Sequence, residues 1–390
     1  MSRLKERIAR IREEIPIATV LAHYGYRVRD DGGEREQQFP CDLHGDGQDN
    51  TPSARAYDDH WNCVSIETPI LTSDGWVPLG ELRRRLPVLS EGGRWETFTR
   101  HLDKGVRPVV RVETIEGYEL ICTEDHRIFT PGGKEVLAGS LEKGQRISLL
   151  FPQEPLFPTG MELPFSVEDL NGPVPSGNTL NLPSVWSENL GVALGYIFGD
   201  GWVTLRSKPY SHMVGITSHI SDALEIRPVL DFLKGLVGGG GSEVIRRDKA
   251  VCGGKEYKQN QLVWTVGSNQ FAEFWLRLGL NKQLPADQRG VPDALWGAPE
   301  CAVRGFLRGV FAADGSVFRK KGRNQAVVSL YSVSEPFLKG VQRLLLQFGV
   351  RCRIYDPPAE KSRRTRHLQI TAGPDVTRFL QRIGDRKSVV

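Results

Sequence analysis

Long apolar runs are missing from this chain of 390 residues, and so is any large excess of one charge. No stretch approaches the roughly 18 consecutive apolar residues that indicate a membrane-spanning helix. The Arg/Glu-rich start also lacks the apolar core of a secretory signal. We therefore expect a cytoplasmic protein with no membrane partner. The formal net charge of +4 is compatible with a nucleic-acid partner but does not by itself predict one.

Cysteine is scarce as well, with six residues scattered at positions 41, 63, 122, 252, 301 and 352. This spacing offers no disulfide framework and suits a reducing compartment. Hydrophobic residues make up 39% of the chain and charged residues 25%, which is ordinary for soluble proteins. At this length we expect two or three domains, each large enough for a core of its own.

Two incompatible patterns meet between Asn62 and Cys63. Upstream, Cys41, His44 and Cys63 have the types and spacing of zinc ligands, but positions 64–66 lack the cysteine that would complete the site. Downstream, short β-strand patterns broken by Gly and Asp begin. The change indicates that one domain is interrupted by another after residue 62. Two alternatives stay open: Cys41 and His44 are an incidental loop pair, or Cys63 is a zinc ligand of an uninterrupted fold.

The segment that begins at Cys63 resembles the N-terminal part of an intein, a self-excising insert of the hedgehog/intein type. The resemblance rests on Cys63 at its first position and on a T-x-x-H motif, Thr123 to His126, after the strand-like run Tyr118–Cys122. It implies an all-β splicing domain in which Cys63 attacks the carbonyl carbon of Asn62 and forms a thioester. Taken alone, His126 would be an ordinary residue of a strand turn.

The residue types suit the chemistry that this resemblance implies. A trans amide resists attack because resonance stabilises it, so its nitrogen needs help to leave. His126 is suited to protonate that nitrogen because histidine titrates near neutral pH. Thr123 is placed to hold the scissile amide by a hydrogen bond. Cysteine, with an ordinary pKa of about 8.5, is a few per cent thiolate at neutral pH and can act as the nucleophile.

Residues 40–63 resemble part of the CHC2 zinc-binding module of bacterial and phage DNA primases. Cys41 and His44 are followed by a Thr51-Pro-Ser stretch and then by Cys63 in register. The resemblance implies a partial zinc ribbon, a host protein that is a DNA primase, and a Zn²⁺ site with Cys41, His44 and Cys63 as partial ligands. We expect that site to be complete only after splicing, when a downstream residue replaces Cys63.

A weak internal repeat marks the C-terminal half of the chain. Leu194–Val203 and Phe306–Val317 are both helical runs with small residues on one face that end in Asp-Gly. They resemble the two motifs of a single-chain LAGLIDADG (DOD-type) homing endonuclease. This implies an α/β fold with two pseudo-symmetric αββαββα halves. A single Asp-Gly would be no more than a common helix stop, but the repeat makes chance a poor explanation.

The repeat also predicts a catalytic site. Small residues let two helices approach closely, so Asp200 and Asp314 should lie side by side at the helix ends. There each opposes the helix dipole and repels the other, and Mg²⁺ relieves both costs because it prefers hard oxygen ligands. The expected reaction is metal-assisted hydrolysis of a phosphodiester, one cut per DNA strand. Lys282, in a K-x-[IL]-P element, is a candidate for stabilising phosphate charge; the alternative is a solvated surface lysine.

The expected partner is double-stranded DNA, namely the primase gene without the insert, bound by a monomeric endonuclease. Basic clusters are often merely solvated, but they are also the usual phosphate contacts. In the family a sheet lies along the major groove. The candidate contacts are Arg246, Arg247, Lys249, Arg363, Arg364 and Arg366.

These inferences predict a multidomain chain: a partial primase zinc module (1–62), the N-terminal half of a splicing domain (63–151), a linker (152–184) and an α/β endonuclease (185–390). No asparagine follows Asn324, although inteins end in His-Asn. We therefore expect the C-terminal splicing half to be missing, so that either a separate fragment supplies it in trans or the chain is truncated. The alternatives are a zinc-containing DNA-binding protein that neither splices nor cuts, and a decayed, inactive insert.

Overall fold

A computed structural model gives the fold of the chain. It describes residues 37–39, 54–56, 64–82, 86–90, 93–97, 106–150, 152, 154–170, 180–207, 212–247, 249–252, 255–258, 260–319, 325–356 and 365–384. None of the helices in these ranges combines the length and the apolar character that crossing a bilayer requires.

The N-terminal part of the described chain consists of short antiparallel strands. Strands β3, β4, β5 and β6 form a sheet of order β4-β3-β5-β6, and three separate pairs join β1 to β2, β7 to β8, and β9 to β10. Their bounds are β1 Gln37–Phe39, β2 Ala54–Ala56, β3 Pro69–Thr72, β4 Gly75–Pro78, β5 Pro87–Leu89, β6 Trp95–Thr97, β7 Val110–Glu113, β8 Glu119–Cys122, β9 Arg127–Phe129 and β10 Glu135–Leu137. We refer to residues 64–150 as the β-rich segment.

A small core holds part of the β-rich segment together. Cys122, Ile128 and Ala138 are buried, and Val64 packs against them. Val64 also forms an isolated antiparallel bridge with Cys122, and the amide of Ser65 donates to the carbonyl of Ile121 at 2.9 Å. The chain therefore enters this segment alongside the end of β8.

The stretch 152–184, predicted as a linker, is packed chain over its described part. Leu163 and Leu170 are buried in the core of the α/β region that follows. The amide of Leu163 donates to Ser184 O at 3.1 Å, and that of Asn181 donates to Leu236 O at 2.8 Å. Its Pro/Gly-rich composition reports an irregular backbone, which is compatible with close packing when apolar residues are interspersed.

Two halves of the same architecture form the α/β body, residues 185–384. In the first half the sheet order is β11-β12-β16-β13, and β14 and β15 form a separate hairpin. The bounds are α1 Glu188–Asp200, β11 Gly201–Thr204, β12 Met213–His219, α2 Ala223–Leu236, β13 Ser242–Arg246, β14 Lys249–Cys252, β15 Lys255–Lys258, β16 Gln261–Gly267 and α3 Asn269–Arg277.

The second half repeats this order. Its sheet runs β17-β18-β20-β19, so in both halves the first and second strands are followed by the fourth and then the third. The bounds are α4 Glu300–Asp314, β17 Gly315–Arg319, β18 Ala326–Ser332, α5 Glu335–Gln347, β19 Arg353–Tyr355, β20 Arg366–Ile370 and α6 Gly373–Arg382. The expected α/β fold with two αββαββα halves is confirmed.

One apolar core runs through both halves. Leu194 and Phe306, from the two motif helices, are fully buried in it together with Trp264 and Phe337. Local signals start the helices: the Ser187 hydroxyl accepts from Leu190 N before α1, and the Ser334 hydroxyl accepts from Phe337 N before α5.

Candidate nuclease site

Helices α1 and α4 pack with their backbones in contact. A Cβ atom built on Gly195 would lie 2.9 Å from the Cα of Gly309, and one built on Gly309 would lie 2.8 Å from the Cα of Gly195. Real Cβ atoms essentially never approach that closely, so both positions require glycine for steric reasons. The contact is reciprocal because Gly309 follows Gly195 by 114 residues, the same interval that separates Asp200 from Asp314.

Small residues continue along this face at intervals of four. A Cβ on Gly305 would lie 2.9 Å from Val192 N, and one on Gly199 would lie 2.5 Å from the Cβ of Ala313. Residues four apart share one face of a helix. The predicted small-residue stripe is therefore the surface through which the two halves meet.

The two aspartates lie at the same end of this helix pair. Each is the last residue of its helix, and the following glycine amide, of Gly201 or Gly315, closes the last turn on a carbonyl four residues back. The Oδ2 of Asp314 lies 3.2 Å from the Cβ position of Gly199, next to Asp200. Asp200 is half-buried and Asp314 is exposed. The structure thus brings the two predicted carboxylates together, one from each half.

Lys282 joins the carboxylates from the segment that connects the halves. Its Nζ donates to the carbonyl of Phe198 near the end of α1 and lies 5.4 Å from the centroid of the Phe198 ring. Burial and, to a smaller extent, the nearby charge of Arg289 lower the pKa of Lys282 to about 8, against the opposing effect of Asp314 and Asp200. Through its contact with Phe198, the ammonium group lies near the end of α1, where Asp200 is the last residue, and both aspartates act on it electrostatically.

Hydrogen bonds hold the Lys282 loop against the first half. The Gln283 side-chain amide donates to Val203 O at 2.9 Å, on the strand that follows α1. Arg289 donates to the carbonyl of Lys282 at 3.0 Å. These contacts fix the backbone on both sides of the ammonium group, so its position is set by the fold.

The donor set of this site fits Mg²⁺. Two carboxylates supply hard oxygen atoms, and Mg²⁺ is usually held by one or two carboxylates together with water and substrate phosphates. Within the described ranges no cluster of three or more His, Cys, Asp or Glu side chains is suited to hold a metal ion by itself. Of the predicted zinc ligands, Cys41, His44 and Cys63 all lie outside the described residues.

Thr123 and His126 lie in a tight turn that follows β8. The amide of His126 donates to Thr123 O at 3.1 Å, and Ala138 N donates to His126 O at 2.7 Å. Thr123 is buried, and among the described residues the Nδ1 of His126 is buried without a hydrogen-bond partner. Burial lowers the pKa of His126, with partial compensation from Asp125, which favours the neutral imidazole at pH 7.

The predicted DNA contacts do not form one set. Arg246 and Arg247 are exposed at the end of β13, and Lys249 begins β14. Arg366 instead forms ion pairs with Asp356 at 2.9 Å and Glu335 at 3.1 Å, so its charge is partly neutralised. Arg363 and Arg364 lie outside the described residues.

An aromatic row on the second sheet was missed by the sequence reasoning. Tyr331, His367 and Tyr355 are paired across β18, β20 and β19. The His367 ring stacks on Tyr355 at 5.1 Å, and the Arg353 guanidinium lies 4.7 Å from the Tyr355 centroid. Successive side chains of a strand point to opposite faces of the sheet, and this alternation was the sequence signal that could have predicted these side chains on one face. Arg and aromatic rings on an open sheet are suited to stack on nucleic-acid bases.

Residues 302–384 match the family model of the LAGLIDADG-like domain. This range runs from the start of α4 through α6 and covers the second half of the α/β body. The match supports the LAGLIDADG resemblance over that half.

Several curated proteins are similar over most of the chain. The tRNA-splicing ligase RtcB of Methanopyrus kandleri is 25% identical over 378 residues, covering 86% of this chain and 36% of that protein. The replicative DNA helicase DnaB of Rhodothermus marinus is 26% identical over 333 residues, covering 83% and 32%. A ribonucleoside-diphosphate reductase subunit, NrdEB of Bacillus subtilis, is 22% identical and covers 75% and 26%. The chain therefore spans only about a third of the length of these relatives.

Solved structures with partial similarity include homing endonucleases. I-DmoI in complex with DNA and Mn is 19% identical, with a TM-score of 0.36, and the match covers 50% of this chain and 96% of that one. The N-terminal LAGLIDADG domain of DUF199/WhiA is 17% identical, with a TM-score of 0.33, covering 54% and 87%. The architecture assigned above rests on the strand order of the two halves.

Proposed function

We propose that the α/β body is a divalent-metal-dependent, site-specific DNA endonuclease of the homing type. The observation that carries this proposal is the meeting of Asp200 and Asp314 at one end of the α1–α4 pair, with Lys282 beside them. Bound Mg²⁺ would polarise the scissile phosphate and lower the pKa of an attacking water. Each half contributes one carboxylate, which fits one cut in each strand of a double-stranded target.

The residues around the metal site would act by charge and position. Asp200 and Asp314 would hold the ion through oxygen atoms. Lys282, protonated below pH 8 or so, would place a positive charge against the phosphate as negative charge develops there. Arg246, Arg247 and Lys249 would contact the DNA backbone beside the first sheet. Since both motifs lie in one chain, the endonuclease would work as a monomer.

Cleavage of DNA spanning the uninterrupted primase gene, in the presence of Mg²⁺, tests this function. We expect double-strand cuts within that gene by the wild-type chain. Asp200→Asn should abolish cleavage because it removes a metal-binding charge, while DNA binding in a gel-shift assay stays largely intact. Unchanged cleavage by Asp200→Asn would refute the assigned role. Persistent absence of cuts by the wild type would favour a decayed insert.

A second activity, the first step of protein splicing, is favoured by a separate observation. Val64, the residue after Cys63, pairs with Cys122, next to the Thr123–His126 turn. The buried, unpartnered Nδ1 of His126 is suited to contact an amide nitrogen at this place. We propose that Cys63 Sγ bonds to the carbonyl carbon of Asn62, that the Asn62–Cys63 amide bond breaks, and that His126 assists protonation of the released amine.

The similarity to three curated relatives supports an inserted module. Their names denote unrelated activities, a tRNA-splicing ligase, a replicative helicase and a reductase subunit. Each shares most of this chain over only 26–36% of its own length. A segment common to unrelated hosts fits a self-excising insert better than it fits the hosts' own chemistry. Excision also needs a C-terminal splicing segment, which we propose is a fragment acting in trans or a downstream part of the chain.

Hydroxylamine, which traps thioesters, tests the splicing step on the chain with such a C-terminal segment supplied. We expect a break between Asn62 and Cys63, detected by mass spectrometry, and its loss in Cys63→Ala. An equally intact junction in wild type and variant would overturn the proposal.

For the host portion, we propose a DNA primase zinc module that acts in the cytoplasm after splicing. It would bind Zn²⁺ through Cys41, His44 and ligands gained on ligation. The competing function is a zinc-containing DNA-binding protein that neither splices nor cuts, with Cys63 as a permanent ligand. Zinc analysis of the unspliced chain, with no C-terminal splicing segment supplied, separates them: Cys63→Ala should leave the zinc content unchanged under our proposal and lower it under the alternative.

A further inference from the structure

One face of helix α5 contacts the β-rich segment. Lys339, Gln342 and Arg343 are spaced so that they share this face, while Leu338 and Val341 point into the α/β core. Each of the three polar residues contacts a different part of the β-rich segment. One of them also contacts a loop of the α/β body that packs against this segment. The contact is therefore built from several side chains of one helix.

Gln342 makes the most buried of these contacts. It is 2% exposed, and its Nε2 donates to Glu116 O at 2.8 Å and to Cys352 O at 3.1 Å. Glu116 lies in the turn between β7 and β8, and its carbonyl also accepts from Ile354 N at 3.0 Å. The turn is thus hydrogen-bonded both to α5 and to β19, the edge strand of the second sheet.

Lys339 and Arg343 extend the contact on either side. Lys339 Nζ lies 2.7 Å from Glu119 Oε2 at the start of β8. The Arg343 guanidinium lies 5.4 Å from the ring of Trp76 in β4 and 5.6 Å from that of Trp296. Beside them, a Cβ on Gly75 would lie 2.8 Å from the Cα of Gly297, so the β3–β4 turn approaches the α/β body backbone to backbone.

Strand β8 connects this contact to the splicing turn. It runs from Glu119, held by Lys339, to Cys122, and Thr123 and His126 follow at once. At roughly 3.3 Å per residue the distance from Glu119 to Thr123 is about 13 Å. A shift of Glu119 would therefore reach the splicing turn through a short strand that is hydrogen-bonded to β7 along its length.

We propose that Lys339, Gln342 and Arg343 of α5 are positioning residues for the splicing reaction, so that the second nuclease half is a structural support of the splicing site. This inference rests on the proposed splicing function. The positions of α2 that lie 114 residues earlier are Glu225, Pro228 and Val229, so these three polar residues are not repeated in the first half.

Gln342→Met tests the buried contact. Methionine keeps the approximate volume but cannot donate, so we expect roughly a tenfold slower hydroxylamine cleavage at Asn62–Cys63, with DNA cleavage unchanged. Gln342→Glu adds a pH readout, since a buried carboxyl facing two carbonyl oxygens can donate only when protonated. The cleavage rate of Gln342→Glu relative to wild type should therefore rise as the pH falls. A buried carboxylate also destabilises the fold at high pH, so DNA cleavage by the same variant is the control and should not show this pH response.

Lys339→Met and Lys234→Met form a matched pair that leaves the core intact. Lys234 lies on α2, is 30% exposed like Lys339, and contacts Glu243 at 2.6 Å within the first half. We expect Lys339→Met to slow hydroxylamine cleavage roughly two- to fivefold and Lys234→Met to leave it unchanged.

The outcomes separate the two proposals. If the wild-type junction is never cleaved, the splicing function itself fails. If the wild type is cleaved and Gln342→Met, Gln342→Glu and Lys339→Met all match its rate, the splicing function stands and the positioning role is overturned. Should Gln342→Met fail to fold, the comparison of Lys339→Met with Lys234→Met decides the question.

Discussion

The two halves of the α/β body have the same strand order but different surroundings. At the α1–α4 interface, Gly195 and Gly309 occupy equivalent places and make reciprocal contacts. Away from it, the first half inserts the β14–β15 hairpin between β13 and β16, whereas the second half uses α5 to hold the β-rich segment. The difference shows that close backbone contact keeps the centre symmetric, while the periphery of each half is free to differ.

Asymmetry reaches the site itself. Asp200 is half-buried and Asp314 is exposed, although each ends an equivalent helix. Lys282 is tied to the first half through Phe198, and Gln283 is tied to it through Val203. The two carboxylates therefore lie in unequal surroundings, so variants of the two halves need not have equal effects.

The largest effect is expected where the halves are most alike. Gly195→Ala and Gly309→Ala should each lower the free energy of unfolding by about 3 kcal/mol or more, since a methyl group forces the helices apart. Urea unfolding measures this. Gly235→Ala is the control, because a Cβ there meets no atom within 4 Å and alanine favours the helix. A loss at only one of the two interface glycines would break the symmetry argument.

A second prediction concerns Lys282, which lies between the halves and is hydrogen-bonded to the first half. Lys282→Met should slow DNA cleavage roughly 10- to 100-fold, because it removes a positive charge from the site. Lys282→Arg keeps the charge and should retain most of the rate. Single-turnover kinetics at saturating protein separates this from weaker binding. Equal rates for Lys282→Met and wild type would show that Lys282 is an ordinary lysine without a role in cleavage.

The sequence predicted the centre of the molecule better than its edges. The four-residue spacing of Gly195, Gly199 and their counterparts in the second motif predicted the contact between the helices. The two Asp-Gly pairs predicted the positions of the carboxylates. Both predictions depend only on local sequence patterns. The α5 surface could not be predicted, since Lys339, Gln342 and Arg343 look like any polar helix face until the partner is known. The packing of Leu163 and Leu170 in the stretch 152–184 could not be predicted either, because Pro and Gly mark backbone irregularity and give no signal for or against packing.

Two basic residues offer a smaller test of how the halves divide DNA binding. Arg246 is exposed in the first half, whereas Arg366 in the second is paired with Glu335 and Asp356. Arg246→Ala should lower the salt dependence of DNA binding by about one phosphate contact, a change in slope of ~0.9. Arg366→Ala should change it less. Binding measured by fluorescence anisotropy over a range of salt concentrations gives both slopes, and a larger change for Arg366→Ala would reverse the assignment.

The smallest effect concerns the ion pairs of the two equivalent helices. In the first half, hydrogen bonds from Arg227 and Lys234 lower the pKa of Glu243 to about 2. The folded carboxyl thus titrates below its unfolded value of about 4.3, so the stabilisation is fully present above that value and is lost as pH falls toward 2. Because the group is partly exposed, Glu243→Gln should cost only about 1 kcal/mol at pH 7 and almost nothing near pH 2.

Lys339, on the equivalent helix, pairs instead with Glu119 of the β-rich segment. Urea unfolding of Glu243→Gln should therefore show this pH dependence in the stability of the α/β body. Hydroxylamine cleavage at Asn62–Cys63 should be the same as in the wild type. A change in that cleavage would mean that the first half also supports the splicing site.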